Sequence, residues 1–298
     1  MKKSIAMSAV VAMLLMSGCS AQGKNETNTN TNSNTQNPTK SLVYSNIKDI
    51  QSQNKVTELL KANQIETEDI EKFNQSVQNY YKSIGGTPLF NEKEALKSEL
   101  QLPYNVYQLA EVWEKNNPDL VDQNCRITSF RLFNDFIASD SYLEENEKNT
   151  QVLGFDLSSI KYNPDAQFSD EDMKKFINLF GAISVTDSTN IEKTAEEIEK
   201  ELKNRKISFV NPENISIING YVLDEEHNTV FVGHTGIAFT INDGVVFIEK
   251  FGFGLPYQVT KFKDKAELKK YMIDRLKIVS MGGVQTSESI VMENDKLM

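Results

Sequence analysis

Thr229-Val230-Phe231-Val232-Gly233-His234-Thr235-Gly236-Ile237-Ala238-Phe239-Thr240-Ile241 decides the fold. β-Branched and aromatic residues dominate it, and these suit a pleated, half-buried surface. Similar runs flank it, from Ile215 to Leu223 and from Val245 to Phe251. Turn sequences separate the three: Asp224-Glu225-Glu226-His227-Asn228, then Asn242-Asp243-Gly244. The pattern predicts a three-stranded antiparallel meander. Tyr257 to Phe262 reads as a further strand. On the central strand, strict alternation puts His234 on one face with Val230, Val232, Gly236, Ala238 and Thr240.

Upstream, the period is helical. Val56, Leu59 and Leu60 start one pattern; Ile70, Phe73, Val77 and Tyr80/Tyr81 set a second helix over about Glu68 to Ile84. Gly85-Gly86-Thr87-Pro88 ends it. A third helix runs from about Val106 to Trp113, and Asn116-Asn117-Pro118-Asp119 breaks the chain. Ile127, Phe130, Phe133 and Ile137 then predict an amphipathic helix starting at or just before Cys125, with Asp122 or Asn124 as cap. The stretch 139–168 is polar and reads as a lid or surface excursion. Ser169-Asp170-Glu171-Asp172 opens another helix, and about Asn190 to Asn204 is a helix with a charged, solvated face. Asp264-Lys265-Ala266-Glu267 opens one through Leu268, Tyr271 and Leu276. The class expected is α+β. A single domain spans 41–298, helical over about 41–205 and antiparallel sheet over about 206–280.

The first residues read as an export signal. Lys2 and Lys3 precede an apolar run from Ile5 to Met16, too short to span a bilayer comfortably. It closes on Ser17-Gly18-Cys19. These small residues before a cysteine resemble the lipobox of bacterial lipoproteins. The resemblance implies a signal peptide over 1–18, cleavage after Gly18 and a diacylglyceryl thioether on Cys19. The other reading is an ordinary secretory signal with an incidental cysteine. Residues 19–40 are mainly Asn, Thr, Ser, Gln and Lys. They bury too little to offset ordering entropy, so a disordered tether is expected, reaching about 60–70 Å when extended. The expectation is a lipid-anchored protein on the extracytoplasmic face of a Gram-positive cell membrane, its membrane partner held through Cys19.

The formal charge is −10, and it becomes −12 once Lys2 and Lys3 are removed. That argues against a nucleic-acid partner and against electrostatic binding to anionic lipid. The chain has two cysteines. With Cys19 lipidated, Cys125 has no intramolecular disulfide partner. An unpaired thiol in an exported protein is either buried and inert or in use.

The Cys125 position favours use. The first turn of a helix presents orphan amides and the positive dipole end, which stabilise a thiolate. The chain has two histidines. His227 falls in a turn among acidic residues, as a solvated side chain. His234, on the strand, is the candidate general base for Cys125. No zinc-ligand spacing and no Gly-rich phosphate loop occur, so no metal and no cofactor are expected.

The order of Cys125 at a helix start, His234 on a strand and a polar residue on the next strand resembles the papain-like fold. In particular, His234-Thr235-Gly236-Ile237 is similar to the His-x-Gly-Ile of the NlpC/P60 cell-wall cysteine peptidases and amidases. The similarity covers about Gln123 to Glu249, and the Cys125–His234 spacing is longer than usual there. The chain also resembles a family of uncharacterised Gram-positive lipoproteins over most of the mature domain. Its elements are Asn124-Cys125-Arg126-Ile127-Thr128, Phe247 to Lys250 and Pro256 to Gln258. The papain-like resemblance implies a third residue orienting the histidine, for which Glu249 is the candidate; an exposed strand-end charge is the alternative. It also implies an oxyanion site of the Cys125 amide with Gln123 or Asn124. Arg126 would bind a substrate carboxylate or make a structural salt bridge. Two functions follow: a membrane-tethered cysteine hydrolase, peptidase or amidase, with peptidoglycan peptide as leading substrate; or a non-catalytic surface lipoprotein binding a peptide, glycan or protein.

Overall fold

The computed structural model describes residues 43–87, 105–140, 142–143, 150–186, 190–210, 214–224, 227–279 and 290–298. The signal segment, Cys19, the tether over 19–40 and residues 283–289 of the tail beyond Gly282 lie outside the described residues.

A short strand β1 (Val43–Ser45) leads to α1 (Ile50–Ala62), α2 (Thr67–Ile84) and α3 (Val106–Asn116). α4 (Cys125–Phe133) follows, and a 3-10 turn (Asn134–Phe136) passes into β2 (Ile137–Ser139). Next come α5 (Gly154–Tyr162), α6 (Asp170–Phe180), β3 (Ile183–Ser184), α7 (Ile191–Asn204) and β4 (Ile207–Phe209). The late part is β5 (Ile215–Asp224), β6 (Thr229–Ile241), β7 (Gly244–Lys250), β8 (Tyr257–Phe262), α8 (Lys265–Val279), β9 (Ile290–Glu293) and β10 (Lys296–Leu297). The class is α+β, as expected.

The main sheet has the order β1-β8-β7-β6-β5-β9-β10, with β3 on the far part of β6, and its pairings are antiparallel. The predicted meander is its centre. Its edges come from both ends of the described chain, through β1 on one side and β9 with β10 on the other, which the sequence reading left out because they are very short. β2 and β4 form a separate two-stranded ribbon.

Alternation along the strands divides the core. Ile217, Ile237, Phe239 and Ile248 face the helices α2, α4 and α6. Ile218, Ala238, Phe247 and Val291 face Leu268, Tyr271, Met272 and Leu276 of α8. Burying such side chains contributes about 1.5–3 kcal/mol each before entropy is charged against it. Both faces are covered, so β6 is nearly continuous in apolar residues rather than alternating with polar ones.

Three expectations are corrected. Ile137 is in β2, not on the α4 face; the helix ends at Phe133 and a 3-10 turn takes over. The described part of the stretch 139–168 contains the helix α5, which buries Asp156, Ser159 and Ile160, so that part packs into the fold and is not a wholly solvated loop. Third, β6 carries a bulge: Gly220 pairs with His234, but Tyr221 pairs with Val232, leaving Gly233 unmatched. An extra residue reverses the parity of side chains beyond it. His234 therefore keeps Gly236 and Ala238 on its α8-facing side, while Val230 and Val232 belong to the opposite core.

Candidate active site

The bulge sits where β6 loses its neighbour. β7 pairs with β6 only over Ile237–Ile241, and β3 only at Thr229 and Val230. Between them the β6 edge is met by the first turn of α4. Arg126 Nη1 donates to Val232 O at 2.8 Å. The Thr235 N–H donates to the Cys125 sulfur. The nucleophile candidate is thus docked edge-on beside His234 by main-chain groups that a longer β7 would have consumed.

The α4 start is built from polar contacts. Asn124 is the cap, its Oδ1 accepting from Ile127 N at 3.0 Å. Its Nδ2 donates to Asp156 Oδ1 at 2.7 Å. Arg126 holds the same carboxylate in a fork, Nε to Oδ1 at 2.9 Å and Nη2 to Oδ2 at 2.6 Å. Every residue of α4 is buried, so this helix is fixed from all sides. Gln123 Nε2 donates to Ser76 Oγ and to Asp165 O, both at 2.8 Å. Gln123, Asn124 and Arg126 therefore spend these donors on the frame around Cys125.

Cys125, His234 and Glu249 meet. Cys125 is 6 % exposed, His234 1 % and Glu249 0 %. The Cys125 thiol and the His234 ring are in hydrogen-bonding contact. His234 Nε2 is 2.5 Å from Glu249 Oε2, which leaves Nδ1 for the thiol. A carboxylate only accepts, so Nε2 carries a proton. Complete burial removes the reading of Glu249 as an exposed strand-end charge.

Glu249 is itself held on its second oxygen. The Tyr271 hydroxyl donates to Oε1, and Gln258 Nε2 lies 3.4 Å from it. Gln258 stands opposite Glu249 in the β7–β8 register and also donates to Thr260 Oγ1 at 2.8 Å. Arg275 Nε is 3.7 Å from Glu249 Oε2. The sequence reading missed Gln258, Tyr271 and Arg275 in this role. A signal was present for Gln258, a buried-strand polar residue one short turn from Glu249. Tyr271 was placed on the apolar stripe of α8, which hides its hydroxyl. His227 lies as expected in its turn, half exposed, with Nδ1 2.8 Å from Asp224 Oδ2.

The electrostatics favour charge separation. Burial pushes the Cys125 thiol up, but the His234 charge and hydrogen bond, Arg126 and the Thr235 amide outweigh it and leave the thiol below its ordinary value. Burial, then Arg275, pull His234 down; the Cys125 charge and the hydrogen bonds to Cys125 and Glu249 leave it raised. Burial likewise raises Glu249, yet His234, Arg275 and Tyr271 hold it below the usual carboxylate range. The direction is toward thiolate, imidazolium and carboxylate in a row. Such an array can attack an electrophilic carbon and deliver a proton to its leaving group.

No curated protein and no solved structure is matched by this chain. Residues 43–298 match the family model described as a domain of unknown function (DUF4300), and the chain belongs to that family.

Proposed function

We propose that this protein is a cysteine hydrolase, a peptidase or amidase, held on the outer face of the membrane by a lipid on Cys19 and acting on cell-wall peptide. The observation that carries the reading is the buried contact of Cys125 with His234, backed by His234 Nε2 on Glu249 at 2.5 Å. The chemical order resembles that of papain-like NlpC/P60 enzymes, with Glu249 where they use another polar residue.

In this mechanism the Cys125 thiolate attacks an amide carbonyl carbon. The oxyanion that forms is received by the Cys125 amide at the α4 start, where first-turn N–H groups have no intrahelical acceptor. His234 gives its proton to the departing amine as the C–N bond breaks, leaving a thioester. His234 then takes a proton from water, which attacks the thioester and releases the acid and the thiolate. Glu249 stabilises the imidazolium and fixes the ring.

The near-complete burial of Cys125 is the observation that favours the second reading, a non-catalytic lipoprotein using the same scaffold to bind a peptide, glycan or protein. One experiment separates the two. Purified peptidoglycan is incubated with the wild-type chain, Cys125→Ala and His234→Ala, and new amines and peptide fragments are read by mass spectrometry. Fragments from wild type alone support the hydrolase. A thiol that alkylates as slowly as a buried core cysteine, with binding but no fragments, supports the second reading.

A further inference from the structure

Lys250 follows Glu249 on β7, so alternation sends its side chain to the other face of the sheet. It is fully buried. Its Nζ is 2.8 Å from Asp122 Oδ2 and 2.6 Å from Leu255 O. It lies 4.4 Å from the ring centroids of both Tyr80 and Tyr257, a cation between two aromatic faces. Asp122 also accepts from the Gln123 amide at 2.8 Å and the Gly254 amide at 2.9 Å. Gly254 has φ +67°, and a Cβ there would stand 2.9 Å from Ala110 Cα, so only glycine brings that amide to Asp122.

A buried ion pair is a weak source of stability, since desolvation offsets the attraction. The mechanism above does not use this one. Its placement suggests another role. Asp122 is three residues before Cys125, and Lys250 is one after Glu249. Burial pulls Lys250 down and pushes Asp122 up, each partner opposing the shift of the other, and the Cys125 charge also supports the Lys250 ammonium.

We propose that Asp122 and Lys250 are positioning residues for Cys125: their ion pair clamps the segment that carries the thiol to the strand end that carries Glu249, and the Lys250 ammonium adds to the positive surroundings of the thiolate. This rests on the cysteine-hydrolase reading. Two cations act on Cys125 directly, Arg126 from its own helix, paired with Asp156, and His234 from β6, supported by Glu249 and opposed by Arg275; Lys250 from β7, held by Asp122, is coupled to the same charge. Loss of Lys250 therefore weakens the thiolate without abolishing it.

The test uses the full chain with Cys19→Ala, so that Cys125 is the single thiol. Thiolate formation is followed by ultraviolet absorbance against pH, with Cys125→Ala as blank. Lys250→Met alone strands Asp122, so the double variant Asp122→Asn/Lys250→Met is the main probe. Its thiolate midpoint is expected to rise by about half a pH unit or more, with cooperative melting retained. A cooperatively melting double variant with the wild-type midpoint overturns the proposal. A reciprocal measurement leaves Lys250 in place: Cys125→Ala should lower the midpoint of the Lys250 ammonium, read by NMR, because coupling acts equally both ways. Identical Lys250 titrations in wild type and Cys125→Ala overturn it whatever the double variant does. A wild-type thiol titrating at or above 9.0, its ordinary value, sinks the hydrolase reading instead.

Discussion

His234 Nε2 faces Glu249 Oε2 at 2.5 Å with both side chains out of water. The contact exists because β7 stops pairing with β6 at Ile237–Ile248 and because the bulge at Gly233 turns His234 to the α8 side of the sheet. The Cys125 charge and hydrogen bond, with the Glu249 hydrogen bond added to them, raise His234 against burial and Arg275. The His234 charge and hydrogen bond in turn lower the Cys125 thiol, with Arg126 and the Thr235 amide, so Glu249 acts on the sulfur through the histidine between them.

Glu249→Gln tests this chain of influence. The amide keeps the shape but removes the charge that supports imidazolium. The proton on the pair then shifts back toward sulfur. Alkylation of Cys125 at neutral pH is expected to slow by about tenfold, the cost of roughly one unit of thiol pKa. Any hydrolytic turnover is expected to fall by about 10²–10⁴. Rates equal to wild type would remove Glu249 from the site.

The pH dependence follows from the directions of the shifts. Cys125 is lowered and His234 raised, so both shifts favour the coexistence of thiolate and imidazolium. Reactivity is expected to fall on the acid side as the thiolate is protonated and on the alkaline side as His234 loses its proton. For stability, a raised histidine contributes fully below its unfolded value, and the contribution fades as pH rises through the folded value. Cys125→Ala removes two of the influences that raise His234 and leaves burial and Arg275, which lower it. NMR of the imidazole should therefore give a lower midpoint in Cys125→Ala than in wild type. An equal or higher one would mean that the thiol and ring do not share a proton.

How far this was legible in the sequence depends on what each contact needed. The meander, the α4 start and the placement of Cys125 and His234 follow from local signals, namely β-branched runs, turn residues and a cap, while Glu249 comes from the papain-like resemblance. The face of His234 does not, because one unmatched glycine reverses parity and Gly233 looks like any strand glycine. Asp156 was hidden in a polar stretch whose partner, Arg126, lies thirty residues away. Lys250 drew no role from the sequence because nothing local signals that Tyr80, Tyr257 and Asp122 converge on it.

Asp156 gives a stability prediction. Its carboxylate is fully buried and serves both Arg126 and Asn124. Asp156→Ala leaves a buried guanidinium without its counter-charge, which costs about 3–5 kcal/mol. Urea unfolding should record a loss of that order. Replacing both partners, Arg126→Met with Asp156→Leu, removes the uncompensated charge and should recover much of it. A double variant no better than the single would show that the Val232 contact of Arg126, not the ion pair, carries the effect.

Gly236 lies two residues from His234 on the same face, and a Cβ there would come within 2.2 Å of Phe247 Cζ and 2.7 Å of Ile248 O. The ring could tilt, but the carbonyl is part of the β6–β7 ladder and cannot. Gly236→Ala is therefore expected to cost about 1–3 kcal/mol by overpacking and to spread β7 from β6 beside the His234–Glu249 contact. Phe247→Leu in the same chain relieves the ring clash and leaves the carbonyl clash. Melting temperature should then recover in part, while the slowed alkylation of Cys125 should not, since strand separation rather than ring crowding disturbs the histidine. Full recovery of both would place the crowding in the Phe247 ring alone and leave the strand pairing without a role in setting the thiol.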